Sequence, residues 1–194
     1  MRIKYNAPVV LTFTLLCALV LLLDKTLFPH LIENWFMVPG RNSFRTGSVN
    51  HWVSILTHAM GHKNWQHLIS NFTFILLIGP MLEENYGSNE LLIMIIITAA
   101  ITGILNVFIF RSYLMGASGV VFMMILLSSF TNFSHGEIPL TFILILILYI
   151  GAEIFNIFIS DDISQFAHII GGLCGSFFGF FRPNEERRRS ARRQ

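Results

Sequence analysis

Two short motifs place chemically competent side chains in an otherwise apolar chain: Gly116-Ala117-Ser118-Gly119 and Ala167-His168-Ile169-Ile170-Gly171. A serine hydroxyl is a weak nucleophile at neutral pH and needs an adjacent base to take its proton, a role a neutral imidazole fills. Ser118 and His168 therefore specify acyl transfer if the fold brings them within hydrogen-bonding reach. His67 and Asn71, one helical turn apart, supply side-chain donors of the kind that stabilise an oxyanion. A Ser118 at the start of a helix adds backbone N–H groups and the positive helix end. The alternatives are structural: Ser118 as a helix cap with Gly116 and Gly119 serving close packing, and His168 as a hydrogen-bonded core histidine.

The elements that must position these residues lie in a bilayer. Of 194 residues, 54% are hydrophobic and 12% charged, and the mean hydropathy is +0.64, too little charge for a soluble domain of this size. The apolar runs predict an all-α polytopic bundle of six spans, at about 8–28, 65–83, 91–110, 117–131, 139–159 and 164–181, in a single membrane domain. Residues 182–194 form a basic tail. Residues 29–64 make one long first connection, expected to be membrane-associated. The N-terminal run lacks a signal-type cleavage site and reads as a span. Arginines crowd the C-terminus while Arg2 and Lys4 mark the other end, which predicts both termini in the cytoplasm of a multi-pass protein of the cytoplasmic membrane. A net charge of +2 carried by such a tail suits anionic lipid, not nucleic acid. Cys17 and Cys174 fall within apolar segments and read as packing residues.

Depth can be counted at about 1.5 Å per residue. Ser118 precedes Asn132, and His168 precedes Arg182, by the same 14 residues, so both stand roughly 21 Å from the inner boundary. Asn71 and His67, counted back from Glu83, come out at about 18 and 24 Å. Polar groups from three spans thus converge some 10 Å below the outer surface of a ~30 Å core, which the structural alternatives do not predict. Ala167, Gly171, Gly175 and Gly179 recur every fourth residue, a bare stripe that lets the sixth helix approach the fourth.

The GASG motif, the A-H-x-x-G motif and the H-x-x-x-x-H-x-x-x-N series of His62, His67 and Asn71, in this order, resemble the rhomboid family. The resemblance covers the chain from about Pro8 to Phe181. It implies an intramembrane serine endopeptidase with Ser118 as nucleophile, His168 as general base, and His67, Asn71 and the Ser118 N–H as oxyanion hole. It also implies Gly116, Gly119, Phe122 and Gly171 as supporting residues and transmembrane proteins as substrates. Departures are Val53 after Trp52, Asn85 two residues after Glu83, and Phe122 where many members carry a tyrosine.

No cofactor or metal is expected. His58 and His62 have the i, i+4 spacing of a metalloprotease, but the intervening Ala-Met-Gly lacks the general-base glutamate. A catalytically inactive rhomboid-like protein that binds transmembrane clients is the alternative reading, set against by retention of both Ser118 and His168. A transporter is disfavoured by the lack of paired broken helices. Glu153, by depth a neighbour of the cluster, is expected to play a structural role.

Overall fold

The computed structural model describes residues 5–131, 140, 143, 144, 147, 148 and 164–181. Among them, structure is helical apart from the connections and one isolated bridge. The first helix, α1 (Pro8–Thr26), opens with proline, whose missing N–H would have no partner in a first turn. The next two N–H groups are met from another helix: Val9 donates to Glu83 Oε1 at 2.9 Å and Val10 to Oε2 at 3.0 Å. Ser88 Oγ donates to the same carboxylate at 2.7 Å.

Glu83 thus does not end the second span at a turn. Helix α4 runs Trp65–Tyr86, and Glu83 stays helical and buried because it closes the start of α1. Glu83→Gln would turn an amide N–H toward one of these donors. It is expected to cost about 2 kcal/mol, read as a lowered unfolding midpoint of the purified protein in micelles; an unchanged midpoint would refute the capping role.

Gly87, at φ 86°, alone separates α4 from α5 (Ser88–Ile109). Helices α1, α4 and α5 are each long and apolar enough to cross a membrane. Their outward faces present side chains such as Leu15, Leu77 and Phe108 at 62, 73 and 69% exposure, a surface suited to hydrocarbon.

The first connection contains α2 (Leu31–Trp35), α3 (Val49–Thr57) and a 3-10 turn, His58–Met60. It sinks between α1 and α5. Cys17, midway along α1, places Sγ 4.0 Å from the Ala59 carbonyl, and Gly103 of α5 lies against the Ile55 carbonyl, where any side chain would collide. Val38 and Leu114 exchange two backbone hydrogen bonds of 2.9 Å, fastening this connection to the segment that leads into Gly116.

Helix α6 (Ser118–Ser128) has 11 residues, about 16 Å, about half the length needed to cross a ~30 Å core. Helix α7 (Ser164–Phe181) packs along it. Gly171 faces the Gly119 backbone, Gly175 the Met123 backbone and Gly179 the Phe130 ring. Contacts that advance together along both helices make the pair parallel, and the glycine stripe is what permits it. Of the predicted span 139–159, Leu140, Ile143, Leu144, Ile147 and Leu148 are helical and exposed. Glu153, Asp161, Asp162, Asn132, Arg2, Lys4 and the tail 182–194 lie outside the described residues.

Candidate functional site

Ser118 occupies the first position of α6, with Ala117 as N-cap. The capping alternative is therefore not the arrangement adopted: the cap residue has no polar side chain, and the first N–H groups of α6 have no partner within the helix. Ser118 is half-buried. Its approach is set by Gly116, at φ 119°, a backbone conformation that favours glycine. The Gly116 N–H donates to the His58 carbonyl at 2.9 Å.

His168 stands on the α7 face that meets α6. The Ala167 carbonyl lies beside Gly119, and the imidazole stacks on Phe122 with ring centroids 4.3 Å apart and planes inclined by 37°. Phe122 follows Ser118 by one helical turn, so both project from the same side of α6. His168 consequently lies over the side of α6 that carries Ser118, and the aromatic surface it rests on needs no hydroxyl.

Helix α4 closes a third side. Its N-cap is Asn64, whose Oδ1 accepts from the His67 N–H at 2.8 Å, fixing the first turn. The His67 ring lies against Gly116: a Cβ there would fall 2.7 Å from Cε1 and 2.9 Å from Nε2. Asn71, one turn on and buried, donates through Nδ2 to the His67 carbonyl at 3.1 Å. That bond occupies one of the two amide hydrogens. The structure thus gathers Ser118, His168, His67, Gly116, Gly119, Phe122 and Gly171 around one junction of α4, α6 and α7, with Asn71 on the same helix as His67.

Level can be read from α5. Gly119 sits beside Thr102, which precedes the end of α5 at Ile109 by seven residues, about 10 Å.

His58 and His62 do not form a helical pair. The 3-10 turn ends at Gly61, which is extended (φ −78°, ψ 134°). His58 is bound through Nδ1 to the Ile55 carbonyl at 3.0 Å and through Nε2 to Thr102 Oγ1 at 3.3 Å. His62 turns Nδ1 to the Met60 carbonyl at 3.2 Å and sets its ring 5.1 Å from that of His67. Thr102 and the Ile55 carbonyl thereby support the site from beneath. Neither stood out in the sequence, where Thr102 is one of several hydroxyl residues in an apolar helix.

A model of the Rhomboid domain matches residues 49–184. The chain is similar to the rhomboid protease GlpG of Haemophilus influenzae, 24% identical over 178 residues, 90% of this chain and 91% of that protein. It is also similar to rhomboid-like protein 11, chloroplastic, of Arabidopsis thaliana, 25% identical over 153 residues and covering 77% of this chain and 51% of that one. The rhomboid protease GluP of Bacillus subtilis is 34% identical over 134 residues, 66% of this chain and 25% of that protein. The chain thus spans about half the length of the Arabidopsis relative and a quarter of the Bacillus one.

Proposed function

The chain belongs to the rhomboid family of multi-pass membrane proteins, whose matched relatives include named proteases, and we propose that it is an intramembrane serine endopeptidase acting through a Ser118/His168 dyad. The reading rests above all on the His168 imidazole stacked over Phe122, one turn from Ser118 on the same side of α6.

In the proposed reaction His168 accepts the Ser118 proton as Oγ attacks the scissile carbonyl of a transmembrane substrate. The proton then passes to the leaving amine, and water releases the acyl group by the same steps in reverse. The oxyanion is met by the Ser118 N–H at the start of α6 and by His67 and Asn71 from α4. The Ser118 N–H and His67 are carried by helix starts and Asn71 is held by its bond to the His67 carbonyl, so little reorganisation accompanies charge development. Gly116 leaves room for the His67 ring, Gly119 and Gly171 let α6 and α7 close on each other beside Ser118, and both termini face the cytoplasm of the cytoplasmic membrane. Lipid surrounds the protein, and no cofactor or metal takes part.

The test is cleavage of a single-span substrate by purified protein in proteoliposomes. Product formation insensitive to chelators supports the reading, and substrate binding without product opposes it. Asn71→Ala is expected to slow turnover by about 10- to 1000-fold with the fold intact, the loss typical of one missing donor. A wild-type rate would remove Asn71 from the oxyanion hole.

A further inference from the structure

An apolar groove of about 450 Å³ opens between α1, α5 and the end of the first connection. Phe13 and Leu16 form one wall, Ile96 and Ala99 the other, and Leu56 and Met60 close its end. It lies within two helices of membrane-crossing length. Along α1 it extends from Pro8 to Leu16, about 12 Å and so close to the depth of one leaflet of a ~30 Å core. It stops where the 3-10 turn meets the middle of α1 at Cys17.

Two observations identify the occupant. The two hydroxyls in its lining are engaged elsewhere, Thr12 with Tyr5 at 2.9 Å and Thr57 with the Trp35 and Val53 carbonyls, so the groove offers little to a polar ligand. Its rim, Leu16, Leu56, Leu92 and Ile96, is 44 to 47% exposed and continues into the lipid-facing surface of α1 and α5. We propose that the groove is a binding site for one phospholipid acyl chain, drawn from the leaflet on the side of the α1 N-terminus. The chain would fill space directly under Met60, whose carbonyl holds the His62 ring. The site is independent of the proposed proteolysis.

The probe is a phosphatidylcholine carrying a diazirine on its acyl chain, present at low mole fraction in vesicles holding the full chain, with labelled residues mapped by mass spectrometry. Phe13, Met60 and Ile96 are expected to be labelled about tenfold more than Leu77 on the open face of α4, as befits a retained rather than a passing lipid. Equal labelling would mean solvation only. Labelling below that of Leu77 would mean that another copy of the chain covers the groove; either result overturns the proposal. Ala99→Phe should reduce Met60 labelling to the Leu77 level. Should that variant fail to fold, Ile96→Trp at the rim should do the same, and unchanged labelling in a folded variant would overturn the site.

Discussion

Ser118→Ala is expected to abolish cleavage of a single-span substrate, with a loss on the order of 10⁴-fold or more and an unfolding midpoint close to that of the unaltered protein. The substitution removes one oxygen from a half-buried position that caps nothing, so stability has little to lose. His168→Ala should be as inactive but less stable, because it also takes away the ring stacked on Phe122. The decisive comparison is Ser118→Ala combined with His168→Ala. Residues that act as a unit are strongly non-additive, so the double variant should be no slower than either single one. Losses that multiply would show two residues acting separately, and cleavage at the normal rate in either single variant would rule the dyad out.

Much of the architecture was legible because lipid imposes strong patterns. A run of apolar residues long enough to cross the core announces a helix, and the predicted starts of α1, α4 and α7 at Pro8, Trp65 and Ser164 match those observed. The four-residue recurrence from Ala167 to Gly179 foretold the close approach of α6 and α7, since small residues in one stripe have few other uses in a membrane helix. The short fourth helix was likewise visible in how soon the apolar run after Ser118 ended.

What escaped was the use of polar groups between segments distant in sequence. Glu83 reads locally as the first residue of a polar turn; that its carboxylate closes the start of α1 depends on α1 and α4 lying antiparallel, with Val10 beside Gly79. Helix α4 continues to Tyr86, three residues beyond the point from which the depths of His67 and Asn71 are counted. The exchange between Val38 and Leu114 and the descent of the 3-10 turn to Cys17 are similarly non-local. Neither stretch of the connection has a periodicity that would signal it. Thr102 is a third case: a threonine in a spanning helix commonly bonds its own backbone, as this one does to Thr98 at 2.8 Å. Only the fold reveals that it also meets His58.

Gly171→Ala is the sharpest test of how the site is positioned. The added methyl would collide with the Gly119 carbonyl oxygen and lie 2.7 Å from its carbon and 2.9 Å from the Gly119 Cα. Every one of these atoms is backbone, so no side chain can swing aside and the helices must separate. Overpacking of this kind costs about 1–3 kcal/mol. The separation occurs between Gly119 and Gly171, adjacent to Ser118 and within a turn of His168, where a displacement of about 1 Å lowers turnover by about 100-fold. Gly175→Ala makes the control. Its methyl would strike the Met123 backbone in the same manner, one turn farther from Ser118, and should destabilise comparably while slowing turnover much less. Turnover is compared per folded molecule, with the folded fraction measured for each variant. Equal losses in the two would assign the effect to weakened packing in general. A normal rate for Gly171→Ala would mean that the contact of α6 with α7 is not what sets His168 against Phe122 on the Ser118 side of α6.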